Sequence, residues 1–337
     1  MKKVVLEETG KIFIGQEPEP KRKPGEALIK LRALGICGSD VNSYKGINRL
    51  IKLPLIPGHE AAGEVVETDG APGTPAVGER VILDPYLYCG ECISCKKGRT
   101  NCCAKLKVLG VQTDGAMREY VTHPTRLLHR IPDNLPWEHI PLAEPLTISL
   151  HVLHRAQVGR GDNVVIYGAG TIGVLAALGA KIYGARPILL DVLDKRLEKA
   201  RQLGISDVVN SGGEDPLQAV AKLTDGVMAD VVIEASGAGP AVSQVVHMAA
   251  YTGRVVLVGW PKSAVELDTS LITHRELTVY GSRNSAGEFP EAIDLISSGR
   301  VDAKSIVTEV IPFDRLPEAI HSLSVDPSDR LKIVAML

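Results

Sequence analysis

Polar and apolar residues alternate over short runs in the first third of the chain. Glu26–Ala33 alternates with a period near two, and Pro18, Pro20, Pro24 and Gly25 punctuate its approach, so a strand is expected there. Residues 61–67 and 78–84 repeat the pattern, which predicts a β-rich half built of short strands, a distorted barrel. The pattern changes near Leu142. A helix is expected from there through His154, followed by a continuous apolar run, Val164–Tyr167, of the kind a buried parallel strand shows. A glycine-rich turn and an Ala/Leu-rich helix come next, then a strand at 187–191 and a helix at 194–203. Further strands are expected at 229–237, 253–259 and 276–281. Alternating strands and helices imply a parallel sheet covered on both faces, so the fold class is α/β: a β-rich domain plus a doubly wound parallel sheet. Amphipathic helices near 289–298 and 316–323 and a closing strand at 331–336 finish the chain.

Composition narrows the function classes. The chain has 337 residues, enough for two domains, and 45% of them are hydrophobic, ample for packed cores. The net charge of −2 leaves no electrostatic footprint for nucleic acid or an anionic membrane. The opening residues, Met1–Leu6, lack the apolar core of a signal peptide, and the clustered cysteines suit a reducing compartment, so a cytoplasmic location is expected. Val164–Ala180 is uncharged and near spanning length, but its glycines fit a ligand-binding turn better than a membrane helix.

Cys89, Cys92, Cys95, Cys102 and Cys103 crowd into one short loop. Three stand three residues apart, a spacing that wraps a tetrahedral cation; soft thiolates in that number favour zinc or an iron–sulfur cluster over disulfides. The fourth ligand is either Cys102 or Cys103, and spacing leaves the choice open. Gly90 and Gly98 allow the loop to turn sharply enough to aim the sulfurs inward.

Gly168–Ala169–Gly170–Thr171–Ile172–Gly173 sits between a strand and a helix, with Asp191 ending the next strand eighteen residues past Gly173. Gly168 suits the tight turn, Gly170 the close approach of a pyrophosphate, and Gly173 close helix–strand packing, while the helix N-terminus around Thr171 and Ile172 offers free N–H groups. A carboxylate at Asp191 can take both ribose hydroxyls and repels a 2′-phosphate, so NAD is expected rather than NADP. Arg196 either stacks on adenine or is a solvated helix residue.

Cys37, His59, Glu60 and Glu144 lie too far apart in sequence for spacing to connect them. However, Gly35–Ile36–Cys37–Gly38–Ser39–Asp40, Pro57–Gly58–His59–Glu60, the cysteine loop, Glu144–Pro145–Leu146 and the glycine-rich turn follow one another as in zinc-dependent medium-chain alcohol dehydrogenases, and the whole chain resembles that family. The resemblance implies a discontinuous GroES-like catalytic domain (residues 1–145 and 286–337) around a Rossmann domain (146–285). It implies two zinc ions per chain. Cys37, His59 and Glu144 would hold the catalytic one, with Glu60 beside them or as an alternate ligand; Cys89, Cys92, Cys95 and Cys103 would hold a structural one, leaving Cys102 a bystander. Glu144 stands where many members have cysteine, so the chain is similar to the sorbitol and polyol branch, and the Asn101–Cys102–Cys103 segment is similar to L-galactonate-type sugar-acid dehydrogenases.

By the same resemblance, Ser39 takes the alcohol proton. The family's relay histidine is replaced by Asn42, which cannot titrate and leaves the exit to water, to another side chain such as His151, or absent. Asp40 either orients His59 or caps a turn. Ser282 and Arg283 are expected at the cofactor, and Tyr44, Gln112 and Arg283 are candidate polar contributors to the substrate pocket. The expected activity is hydride transfer between a secondary alcohol of a polyol or sugar acid and NAD; a small secondary-alcohol, butanediol or threonine dehydrogenase is the nearest alternative, and a non-catalytic NAD-binding protein a more distant one. Relatives form homodimers or homotetramers, and strands near 256–258 and before Gly281 are candidates to pair across a two-fold axis.

Overall fold

The computed structural model describes residues 1–326 and 330–337. In chain order it has nine strands, β1 (Lys2–Glu8), β2 (Lys11–Gln16), β3 (Glu26–Gly35), β4 (Glu60–Glu67), β5 (Arg80–Leu83), β6 (Tyr86–Leu87), β7 (Lys107–Val108), β8 (Tyr120–Pro124) and β9 (Leu128–Arg130). Six more follow: β10 (Asn163–Tyr167), β11 (Arg186–Asp191), β12 (Asp207–Asn210), β13 (Ala229–Glu234), β14 (Ala249–Leu257) and β15 (Thr278–Gly281). β16 (Val307–Pro312) and β17 (Lys332–Met336) close the chain. Two compact units result, one of Met1–Glu144 with Phe289–Leu337, the other of Pro145–Glu288.

The first unit is organised by a sheet of order β16-β17-β3-β4-β5-β9, with β8 also on β3. β3 interrupts its apolar residues only with Lys30 and Arg32 after Glu26, and Ala27, Ile29, Leu31 and Leu34 are buried in one core with Val65, Val81, Met117 and Ile333. The pairing of β3 with its neighbours fixes the register that matters later: Gly35 lies opposite Glu60 on β4 and opposite Val334 on β17. Three strands thus bring the residues around 36, 59 and 332 to one place. In the hairpin β1–β2 only Val4 and Leu6 are buried, and in β16 only Ile311, so the apolar pattern in these stretches is short.

The second unit is a six-stranded parallel sheet of order β12-β11-β10-β13-β14-β15. Its central strands are buried on both faces, which is why Val164–Tyr167 reads as an unbroken apolar run. The uncharged stretch after Val164 is strand, turn and the twelve-residue helix Thr171–Ile182, and among the described residues no helix is long and apolar enough to cross a membrane. β12 is short and the helix Pro216–Leu223 behind it is capped by Asp215, whose carboxylate accepts from Leu217 N and Gln218 N. Of the two strands considered for pairing across a two-fold axis, β14 already has neighbours on both sides, and β15 forms the open edge.

A buried acid fastens the last turn of this unit. Glu288 accepts from His151 Nδ1 at 2.7 Å and from His154 Nδ1 at 3.4 Å through one oxygen, and from Ala286 N at 2.6 Å through the other. Burial pushes its pKa upward, but the two histidines outweigh burial and hold it down to about 2. Its unfolded value is about 4.3, so the stability it confers is present above that pH and is lost as pH falls toward the folded value. Glu288→Gln should therefore lower the urea-unfolding free energy at pH 7 on the order of 1 kcal/mol after solvent screening, with the gap from the parent closing as pH falls toward 2. A gap that stays constant with pH would mean that the loss comes from packing alone.

Candidate metal centres and dinucleotide site

Four thiols meet in the loop between β6 and β7. Cys92 caps the short helix Ile93–Lys96, Cys95 sits inside it, and Cys103 follows a 3-10 turn at Thr100–Cys102. Gly90 and Gly98 supply left-handed turns, with φ of +76° and +73°. The sulfurs of Cys89, Cys92, Cys95 and Cys103 all lie within 4.8 Å of one another. The Cys92–Cys95 and Cys89–Cys103 sulfur separations are 3.5 Å and that of Cys89–Cys95 is 4.0 Å. Thiolates bonded to zinc at about 2.3 Å would stand roughly 3.8 Å apart in a tetrahedron, whereas a disulfide needs about 2.05 Å. All six cysteines are free thiols.

Backbone N–H groups already point at these sulfurs, from Cys89 to Cys103 Sγ and from Cys92 to Cys89 Sγ. The Cys95 and Ala104 N–H groups hold Cys92 down to about 6, while desolvation and the hydrogen bond to Cys92 push Cys95 up to about 12. Four crowded thiols cannot all ionise alone, and a divalent cation removes that conflict. Cys102 is exposed and lies outside the group.

A second cluster forms where β17, β3 and β4 run side by side. Cys37 lies just beyond β3 and caps the helix Gly38–Tyr44; His59 immediately precedes β4, which Glu60 opens. One ligand atom from each of Cys37, His59 and Glu60 lies within 4.8 Å of the others. A Cβ at Gly35 would stand 1.9 Å from Glu60 Oε2, so only glycine in that register lets the carboxylate in. Asp40 ties the two ligand-bearing loops together: its carboxylate accepts from Cys37 N at 2.9 Å and from Gly58 N at 3.2 Å, and lies 3.9 Å from His59 Nδ1. Holding backbone is thus its shorter-range role. Ser39 Oγ is 3.5 Å from His59 Nε2.

Two side chains with no motif to reveal them complete this cluster. Lys332, at the start of β17 and 3% exposed, donates to both Glu60 oxygens at 2.6 and 2.7 Å and to Ile36 O at 3.0 Å. A lysine between Leu331 and Ile333 in an apolar strand is the one sequence sign of it. Tyr86, also buried, donates from its hydroxyl to Glu144 Oε1 at 2.5 Å. Glu144 lies outside the 4.8 Å group that Cys37, His59 and Glu60 form, although it is close enough to act electrostatically on His59. Burial pushes the Glu144 carboxyl up to about 7, with His59 opposing. Burial also opposes charge on Lys332 and on His59. Glu60 outweighs it at Lys332, and Cys37 with Asp40 outweighs it at His59, so both stand above their ordinary values. Glu60, Cys37 and Glu144 act on one buried ammonium, and this surplus of acidic groups, with sulfur, nitrogen and oxygen donors, fits a divalent transition metal.

The glycine-rich turn in the second unit has the geometry a pyrophosphate requires. Gly168 has φ of +112°, which glycine tolerates, and its N–H reaches Leu190 O on β11. A Cβ on Gly170 would meet nothing within 4 Å, so the approach over it is open, while one on Gly173 would stand 1.8 Å from Gly168 O. The helix Thr171–Ile182 begins with no side-chain cap from Gly170. Asp191, buried at the end of β11, accepts from Ala169 N at 2.7 Å and Leu193 N at 3.0 Å, and Arg196 Nη1 lies 3.5 Å from it. Asp191 therefore braces the glycine-rich turn. Ser282 N reaches Leu257 O, and Arg283 is half-buried.

Other candidates are engaged elsewhere. Tyr44 hydrogen-bonds His321, Gln112 accepts from Val108 N, Asn42 is exposed, and His151 is held by Glu288.

A four-thiol lobe, a buried Cys–His–carboxylate cluster and a doubly wound sheet with a dinucleotide turn define a metal-dependent nicotinamide-dinucleotide oxidoreductase. Residues 23–133 match the alcohol dehydrogenase GroES-like domain and residues 171–298 match the zinc-binding dehydrogenase domain. An uncharacterized zinc-type alcohol dehydrogenase-like protein of Haemophilus influenzae is 47% identical, over 100% of this chain and 98% of that one. Sorbitol dehydrogenase of Bacillus subtilis is 31% identical over 99% and 96%. The crystal structure of an alcohol dehydrogenase from Escherichia coli complexed with NADH superposes with a TM-score of 0.93 at 31% identity, covering 100% of this chain and 99% of that one. The chain belongs to the zinc-dependent medium-chain alcohol dehydrogenase family.

The geometry separates the two adjacent cysteines. Cys103→Ser should lower bound zinc from two ions to one per chain and reduce the melting temperature, whereas Cys102→Ser should leave both unchanged; elemental analysis with thermal unfolding checks this. Equal zinc loss in both variants would contradict the assignment of Cys103.

Proposed function

We propose that this chain oxidises a secondary alcohol of a polyol or sugar acid with NAD, at a zinc held by Cys37 and His59 with a carboxylate beside them. The observation that carries the reading is the convergence of Cys37, His59 and Glu60 in a buried cluster balanced by Lys332. Glu144, fixed through one oxygen by Tyr86, is the second carboxylate the metal can draw on. When bound, zinc acidifies an alcohol hydroxyl and NAD accepts the hydride.

The protein's own groups do the rest. Ser39 stands beside His59 and takes the alcohol proton; Asn42, one turn further along the helix, is exposed and cannot titrate, so that proton passes to water. Lys332 neutralises Glu60, and Asp40 keeps the Cys37 and His59 loops in register. Two carboxylates in place of further thiolates make a harder donor set, and only 4% of residues are aromatic, both of which suit a hydroxyl-rich substrate better than a large apolar one. The sorbitol dehydrogenase relative points the same way. Asp191 supports NAD over NADP. Free thiols fit a reducing, cytoplasmic setting. The open edge of β15, with Val279 exposed, supports pairing of two copies into a homodimer or a larger oligomer.

Cys37→Ser should lower turnover of a polyol at least a thousandfold while NADH affinity stays within about twofold, read by steady-state kinetics and by titration. Turnover at parental levels would remove the metal from this cluster. Offered polyols, aldonates and simple secondary alcohols, the parent enzyme should favour the first two; activity confined to small alcohols would overturn the substrate class. Asp191→Ser should weaken NAD and raise the NADP to NAD ratio of kcat/KM at least tenfold, and an unchanged ratio would take Asp191 off the ribose.

A further inference from the structure

The carboxyl ends of β10, β13 and β14 are packed closer than ordinary loops allow. Glu234, the last residue of β13 and fully buried, takes Ser236 N at 2.8 Å, Ser236 Oγ at 2.5 Å and Gly237 N at 2.9 Å on one oxygen. Its main-chain carbonyl accepts from both Val258 N and Gly259 N at 3.0 Å. Three glycine sites record how tightly the segments lie together. A Cβ on Gly168 would stand 3.0 Å from Ser236 N, and one on Gly237 would stand 2.8 Å from Trp260 O. One on Gly259 would stand 2.3 Å from Gly237 N and 2.4 Å from Glu234 Oε2. The cofactor turn, the turn after β13 and the backbone of Trp260 therefore form one braced row.

At the end of that row the Trp260 side chain is 66% exposed. It is the one tryptophan of this unit, and Pro261 follows it. A large aromatic ring on so rigid a base contributes little to the core. Its position supplies a use for it. In a doubly wound sheet each half binds one nucleotide beyond the carboxyl ends of its strands. The glycine-rich turn and Asp191 belong to the half made by β10, β11 and β12, and take the adenosine side. β13, β14 and β15 form the other half, so the segment after β14 faces the nicotinamide nucleotide.

We propose that Trp260 is a positioning residue for the nicotinamide end of the cofactor, an indole wall against which the nicotinamide nucleotide stacks, and that Glu234 holds it there. The proposal rests on the dinucleotide reading of the glycine-rich turn. Stacking on an aromatic face is selective for a flat ring and indifferent to the adenosine half.

The test compares NADH with ADP-ribose, which has both phosphates and the adenosine but no nicotinamide, by calorimetric titration of the zinc-loaded enzyme. In the parent both ligands bind, and exciting tryptophan produces NADH emission. Trp260→Ala should weaken NADH roughly tenfold and leave ADP-ribose within about twofold. Trp260→Phe should restore NADH affinity while removing most of the sensitised emission, a result that general loosening of the fold does not give. Glu234→Gln should weaken NADH more than ADP-ribose. Equal effects of Trp260→Ala on both ligands, or none on either, overturn the proposal. If neither ligand binds the parent, the dinucleotide reading itself fails.

Discussion

The Cys37–His59–Glu60 cluster depends on one buried ion pair. Lys332 and Glu60 are 3% and 1% exposed, and each would be very costly to bury alone. Together, with Ile36 O accepting the remaining donor, they make the beginning of β17 and the beginning of β4 a single unit around the exit of β3. A buried pair of this kind contributes little net stability against a well-packed apolar substitute, but removing one partner costs about 3–5 kcal/mol. Its consequence here is placement. Cys37 follows β3 and His59 precedes β4, each next to a residue that Lys332 holds, and Asp40 ties their loops together through Cys37 N and Gly58 N.

That placement also explains the split chain. β17 comes from the last residues, yet its register with β3 sets Lys332 against Glu60. The unit with the Cys–His–carboxylate cluster is complete only when the chain returns after the inserted parallel sheet. The inserted sheet follows a separate logic. Asp191 braces its glycine-rich turn and Glu234 the turn after β13, two buried acids that accept from backbone N–H groups at the carboxyl ends of their strands. Each unit thus uses buried carboxylates to hold loops in shape at its functional edge.

What the sequence discloses follows from how local each feature is. The cysteine loop and the glycine-rich turn are legible because every determinant lies within a few residues: sulfur spacing, turn glycines, an apolar strand before and a helix after. The central strands are legible because burial on both faces leaves unbroken apolar runs. β1, β2 and β16 are not, since each buries at most two side chains and leaves too short a pattern. Lys332 and Tyr86 are beyond local reading, because they act on Glu60 and Glu144 across separations of 272 and 58 residues. The relation of Glu60 to Glu144 is also a matter of packing: both acids are in the sequence, but only the register of Gly35 against Glu60 shows which one joins Cys37 and His59 in the tight group. The choice between Cys102 and Cys103 turns on a single 3-10 turn, which spacing does not encode.

The central claim is that one chain builds two chemically different zinc centres, four sulfurs in one and a single sulfur with nitrogen and oxygen in the other. X-ray absorption at the zinc edge of the fully loaded protein tests this directly. Five sulfurs shared by two zinc ions should appear as an average of about 2.5 sulfur neighbours near 2.3 Å, with the remaining nitrogen and oxygen donors near 2.0–2.1 Å. An average of four sulfurs with one zinc per chain would mean that the Cys37–His59 cluster holds no metal and would contradict the account.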